Sequence, residues 1–193
     1  DLLDEGFLAK RLEAVVQQKN LLLTKLYGVD PIDLDKLYAQ CLEYGARLRP
    51  YITSVEDRVA EALENGAYIV LEGAQGAMLD LDHGTYPYVT SSSVSIGGAC
   101  TGLGIPPSQI QSIIGIFKAY STRVGAGPFT TELHDEVGND IRERAGEYGT
   151  TTGRPRRIGW FDALVARYST TINGFTSGVL TRLDVLDGMP IVK

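Results

Sequence analysis

Up to residue 66 the apolar residues repeat every three or four positions; from residue 67 they come in short blocks cut by glycine. That change restricts the fold more than any other feature of the chain. The early repeat is the signature of amphipathic helices, and the later blocks are the signature of short buried strands alternating with helices. Leu8, Leu12, Val15, Val16, Leu22, Leu23 and Leu26 form one stripe, with Gly28 as its stop. Asp30-Pro31 opens a second helix carrying Leu34, Leu37, Tyr38, Cys41 and Leu42 on one face. Thr53-Ser54-Val55-Glu56 has the form of a capping box before a third helix, which ends near Asn65-Gly66. These stripes read as core faces.

After the switch, Ala67 to Leu71 reads as a buried strand feeding the turn Glu72-Gly73-Ala74-Gln75-Gly76. Asp80 to Gly104, rich in Gly, Ser, Thr and Tyr, reads as a long binding loop. Pro106-Pro107-Ser108 opens a short helix, and Gly115 to Tyr120 reads as a strand. Asp135 to Glu147 reads as an exposed helix; Trp160 to Ile172 reads as a helix with Leu164, Val165, Tyr168 and Ile172 turned inward; Gly178 to Thr181 is the last strand. The expectation is an α/β fold, a mostly parallel sheet flanked by helices, with a helical subdomain over 1–66 and the α/β part over 67–193. At 193 residues one core suffices, and the 44% apolar content is that of an ordinary soluble globule. The net charge of −6 argues against nucleic-acid binding, no apolar run approaches the roughly 18 residues of a membrane span, and the two cysteines have no metal-ligand spacing. Both ends look cut, as in a piece of a larger protein.

Against that acidic background, Thr150-Thr151-Thr152-Gly153-Arg154-Pro155-Arg156-Arg157 sets three guanidinium groups beside three hydroxyls and a flexible glycine. Arg forks match carboxylate and phosphate oxygens in pairs, so the run suits a small anion; the plainer alternative is a solvated entry to a helix. Thr181-Arg182-Leu183-Asp184 follows an apolar strand. A carboxylate there can accept from both the ring N–H and the exocyclic amine of guanine, or it can simply cap the turn. Gln75, in its glycine-rich turn, either orients a ligand close to the backbone or merely occupies a tight bend. His83, beside Asp82, reads as structural, and His134 as solvated. The chain has no G-x-x-x-x-G-K-[ST] loop and no G-x-S-x-G elbow.

Taken in order, Glu72 to Gly76, Asp82 to Ser92, Ala119 to Pro128, Thr151 to Arg157 and Thr181 to Gly188 resemble adenylosuccinate synthetases, and the resemblance runs almost continuously from Gly66 to Gly188. It implies a P-loop-nucleotide-hydrolase-like fold, incomplete here, with 67–193 as the ligand-binding part of the catalytic domain. It implies an enzyme, cytoplasmic and homodimeric when complete, that ligates IMP and L-aspartate with GTP as co-substrate and Mg²⁺ as cofactor. By the same resemblance Gln75, Thr90 and Arg154 would contact IMP. Val124 and the run Thr150, Thr151, Thr152, Gly153, Arg154, Pro155 and Arg156 would receive aspartate. Arg156, Arg182, Leu183 and Asp184 would serve GTP. Pro155 stands where many members have Arg, and Arg182 where some have Lys. The catalytic Asp and His and the metal ligands of the family lie outside these blocks, so the piece alone is expected to be inactive. A non-catalytic nucleotide- or dicarboxylate-binding module is the other function this pattern suits.

Overall fold

The computed structural model describes residues 1–150 and 153–193, so Thr151 and Thr152 lie outside the described residues. The chain forms two compact units, Asp1–Val55 and Glu56–Lys193.

The first unit is a pair of helices. Asp4 accepts the Phe7 N–H at 2.8 Å and starts α1, Glu5–Leu22. A π-helical turn, Leu23–Tyr27, ends at Gly28, whose φ of 64° is left-handed. Asn20 then clasps the returning chain, donating to the Ile32 carbonyl at 2.9 Å and accepting from its N–H at 2.7 Å. Asp33 caps α2, Leu34–Leu48, so that helix begins a few residues beyond Asp30-Pro31. Gly45 is required: a Cβ there would lie 2.4 Å from the Leu2 carbonyl oxygen.

The second unit opens with α3, Val55–Glu64. Residues 67–71 do not form a strand. Tyr68 and Val70 are 104% and 91% exposed, and no strand pairs with the segment among the described residues. An apolar run has strand potential but needs a ladder partner to become one. The hydroxyl-rich stretch after Asp80 is also less loop-like than expected, because it contains α4, Ile96–Leu103. Pro107–Gln109 is a single 3₁₀ turn.

The α/β character rests on two sheets. Strands β1, Ile114–Lys118, and β4, Ser177–Thr181, pair in parallel, from Ile114 opposite Ser177 to Lys118 opposite Thr181. Strands β2, Tyr120–Arg123, and β3, Arg157–Trp160, pair antiparallel. A single residue, Ala119, separates β1 from β2, and its N–H donates to the Thr181 carbonyl at 2.9 Å. The core is built on β2 and β3 with α5 and the segment after β4: Ala119, Tyr120, Ile141, Ile158, Val185 and Leu186, flanked by Leu133, Ala145, Trp160 and Met189. Burying Ile141 and Ile158 completely is worth about 1.5–3 kcal/mol each. Helix α5, Glu136–Ala145, is therefore not simply exposed; it turns Gly138 and Ile141 inward and packs on β3.

Helix α6, Ala163–Asn173, begins at Asp162, which accepts from Leu164 and Val165 at 3.0 Å. Its inner face is only partly the expected one: Val165 and Ile172 are half-buried, but Leu164 and Tyr168 are exposed, while Ser169 and Asn173 are buried. Asn173 is buried because its side-chain oxygen accepts the Ile96 N–H at 2.9 Å, one of the donors left unpaired at the start of α4.

Candidate functional site

Open parallel sheets present ligands at the carboxyl ends of their strands. Here that edge carries Lys118 at the end of β1 and Arg182, Leu183 and Asp184 directly after β4. Arg182 takes a left-handed φ of 63°, which turns the chain into the 3₁₀ segment Leu183–Leu186. Its guanidinium donates to the Ala145 carbonyl at the C-terminus of α5, where the helix leaves acceptors unpaired. Asp184 stands exposed in the first turn after the strand.

Residues 147–149 and 153–156 pair as the two arms of a hairpin rather than opening a helix. Arg156 N–H donates to the Glu147 carbonyl at 2.9 Å, Gly149 N–H to Arg154 at 2.8 Å, and Gly153 N–H to Gly149 at 2.8 Å. Tyr148 and Pro155 form an antiparallel bridge. Gly153, at φ 64°, makes the tight return. Thr150 lies in this turn.

The hairpin is tied to the sheet edge by Glu147, whose side chain is only 5% exposed. One carboxylate oxygen, Oε1, accepts from Lys118 Nζ at 2.8 Å and from the Tyr120 hydroxyl at 2.7 Å. The other, Oε2, accepts from Arg156 Nη1 at 2.6 Å. Burial pushes this carboxyl up, but the donors from Lys118, Tyr120 and Arg156 pull harder, and it stays below the ordinary glutamate range. Burial also raises the Tyr120 hydroxyl, which Arg182 pulls down and Glu147 pushes up. So Tyr120 lies between the carboxylate that holds the hairpin and the guanidinium that opens the Arg182–Asp184 turn. Lys118 donates as well to Thr122 at 2.6 Å.

The Arg156 and Arg157 guanidinium groups do not act as one grip. Arg157 pairs with Glu132 by Nε at 2.7 Å and again through Nη2, donates to the Gly125 and Gly127 carbonyls at 3.1 and 2.9 Å, and lies 5.4 Å from the Phe129 ring centroid. The hydrogen bond from Arg157 holds the Glu132 carboxyl below its usual range. A poorly solvated carboxylate near a guanidinium commits it, because an unpaired buried charge is costly. Arg157 is thereby a tie between β3 and the loop that carries Val124, itself 70% exposed. Arg156 is half committed: Nη1 is on Glu147, while Nε is buried with no acceptor among the described residues. It lines a recess of about 340 Å³ with Glu132, His134, Asn139, Arg142 and Arg157.

Gln75 and Thr90 are brought together through Ser92. The Ser92 hydroxyl donates to Gln75 Oε1 at 3.2 Å and lies 3.1 Å from the Thr90 hydroxyl, which also donates to the Leu79 carbonyl at 3.1 Å. Gln75 has a φ of 76° and Gly76 one of 135°, so the turn is tight as well as polar. This cluster joins the rest of the unit through Arg123, which donates to the Thr85 hydroxyl and the Tyr88 carbonyl, both at 3.0 Å, and to Ala126 at 3.1 Å.

Beneath these loops Asp80 is 1% exposed and accepts four main-chain N–H groups. Asp82 and His83 donate to one oxygen at 3.0 Å; Val94 and Ser95 donate to the other at 2.8 and 3.1 Å. Burial pushes this carboxyl up, yet the four donors bring it down to about 2. His83 is structural, its carbonyl accepting from the Tyr168 hydroxyl at 2.6 Å. The His134 side chain is 81% exposed, 3.8 Å from Glu132.

A sequence profile of the adenylosuccinate synthetase family matches residues 1–193. The chain belongs to that family. The adenylosuccinate synthetase of Thermomicrobium roseum is 56% identical over 189 residues, covering 98% of this chain and 44% of the relative. The fully ligated adenylosuccinate synthetase of Plasmodium falciparum superposes with a TM-score of 0.86 at 41% identity, covering 97% of this chain and 43% of that one. More distantly, a cyanophage S-2L succinoaminodeoxyadenylate synthetase, bound to dGMP with dATP as energy donor, gives 0.56 at 25% identity over 71% of this chain and 43% of its own. The chain thus spans under half the length of these synthetases.

Glu147, Lys118, Tyr120, Ser92, Asp80 and Glu132 were not singled out from the sequence. Lys118 carried a usable signal, its place at the end of a parallel strand, and Tyr120 lies two residues beyond it. Glu147 carried a weaker one, its position nine residues before Arg156 across a hairpin. Glu132 carried none.

Proposed function

We propose that the full-length protein carrying this segment joins IMP and L-aspartate into adenylosuccinate, driven by GTP and Mg²⁺, as a cytoplasmic homodimer. GTP transfers its γ-phosphoryl group to O6 of the purine as N1 gives up its proton, and GDP leaves. The aspartate amine then attacks the adjoining ring carbon and loses a proton, and the C–O bond breaks, so that phosphate leaves with the ligated product. The support is family membership together with one observation: Glu147 ties Arg156 to the strand edge that leads into Arg182 and Asp184.

In this reading Gln75, Thr90 and Arg154 hold IMP. Val124 and the hairpin from Thr150 through Thr151, Thr152, Gly153, Arg154 and Pro155 to Arg156 receive the two carboxylates of aspartate, which Arg forks match. Arg182 and Leu183 seat the guanine base of GTP, and Asp184 accepts from its ring N–H and amine. Mg²⁺ supplies charge neutralisation on the phosphates when bound. Among the described residues no three His, Cys, Asp or Glu side chains cluster to hold a metal, so the residues present do not make that site and no step is assigned to it here. Among the described residues, also, no helix is long and apolar enough to cross a membrane.

The test is product formation by the full-length protein from IMP, L-aspartate and GTP, followed by chromatography. Adenylosuccinate with GDP and phosphate in equal amounts is expected. Turnover only with dGMP and dATP, or none with any nucleotide pair, overturns the proposal.

A further inference from the structure

Arg156 cannot be fixed by the hairpin backbone alone, because its guanidinium sits at the end of a side chain with several rotatable bonds. What fixes it is Glu147, and the geometry of that contact is selective. The carboxylate holds Nη1 at 2.6 Å and leaves Nε buried with no acceptor among the described residues. Nε belongs to the edge of a guanidinium that takes carboxylate or phosphate oxygens two at a time. The Arg156 side chain is 32% exposed and lines the recess of about 340 Å³, so the part of the guanidinium that Glu147 does not hold faces space an oxyanion can enter.

The charges point the same way. If Glu147 faced Arg156 alone, the pair would be neutral and a poor receptor for an anion. Lys118, at 2.8 Å from Oε1, supplies a second cation, so the Lys118–Glu147–Arg156 group carries a net charge of about +1. Tyr120, donating to the same oxygen at 2.7 Å, fixes the carboxylate without changing that charge. The carboxylate therefore orients Arg156 without cancelling it.

We propose that Glu147 is a positioning residue: it anchors Arg156 by Nη1, with Lys118 offsetting its charge, so that Arg156 presents a pre-set cationic donor to the carboxylate or phosphoryl oxygens of a substrate. The role rests on the proposed ligase reaction and on the hairpin as its amino-acid site.

The experiment uses the full-length protein. Glu147→Gln keeps the shape of the side chain and removes its charge, and Glu147→Asp keeps the charge on a shorter stem. Glu147→Gln is expected to raise KM for aspartate by about 10-fold to 100-fold, the scale of a lost charge-assisted hydrogen bond. KM for IMP is expected to move less than about twofold, and Glu147→Asp to recover part of the loss. Lys118→Met, which leaves Glu147 to neutralise Arg156, is expected to raise KM for aspartate as well. Uniform loss across all three substrates in proportion to a fall in Tm, or unchanged aspartate kinetics in Glu147→Gln, overturns the positioning role. Failure of the ligase reading is read separately, as absence of adenylosuccinate from the unsubstituted protein.

Discussion

Asp80 and Glu147 are both buried carboxylates held below their ordinary range, but one ends on main chain and the other on side chains. Asp80 takes four backbone N–H groups, two from the Asp82-His83 turn and two from the entry to α4. Its partners cannot rotate away, and its oxygens are saturated. Glu147 takes Lys118, Tyr120 and Arg156, each on a movable stem, and leaves Arg156 Nε without an acceptor among the described residues. The difference separates a fastener from an organiser: backbone donors fix a loop, whereas side-chain donors arrange charge that a ligand can engage.

The largest effect that would break this comparison lies on the hairpin. Arg154→Leu in the full-length protein is expected to lower turnover by roughly 100-fold or more, the scale of removing a transition-state charge donor. Its melting temperature is expected to stay nearly unchanged. A near-normal rate in steady-state assays removes the hairpin from the chemistry.

Asp80→Ala should show the opposite profile. Leaving buried N–H groups without an acceptor costs about 1–3 kcal/mol each before relaxation, so urea unfolding is expected to shift by about 2 kcal/mol or more, while kcat of the folded protein changes little. The pH dependence sharpens the point. The Asp80 carboxyl is near 2 in the fold against 3.8 unfolded, so the unfolded chain binds the extra proton between those values. Its stabilisation is complete above about pH 4 and lost as pH falls toward 2. The gap between native and Asp80→Ala stability should close over that window; a gap unchanged at pH 2.5 contradicts the fastener role.

The smallest expected effect lies past β4. Asp184→Asn exchanges an acceptor for a donor, so kcat/KM with GTP should fall about tenfold and use of a xanthine nucleotide should rise. Unchanged GTP kinetics would leave Asp184 as a turn residue only.

What the sequence made legible follows from the range of each interaction. Two helix ends are visible in the sequence because Gly28 and Gly66 stop helices through their own backbone freedom. Strands β1 and β4 were visible as apolar blocks. Residues 67–71 looked the same and failed, since pairing is a property of a neighbour and not of the run. The inner face of α6 is legible only at Val165 and Ile172, because Asn173 is buried by a bond to Ile96, 77 residues away in sequence. In the site, the Thr/Arg run and the Arg182–Asp184 turn stand out locally, as guanidiniums beside hydroxyls and as an acid directly after a strand. The carboxylates that divide the arginines do not: Glu132 lies 25 residues from Arg157, and only the fold brings them together.

The bonds that close the hairpin at Glu147–Arg156, Gly149–Arg154 and Gly149–Gly153 run from peptide group to peptide group. Such a clasp is indifferent to which residues occupy its tip, within the demand for glycine at the return. The arms at 147–149 and 153–156 therefore keep their register whatever side chains they carry, provided residue 153 can take a left-handed turn.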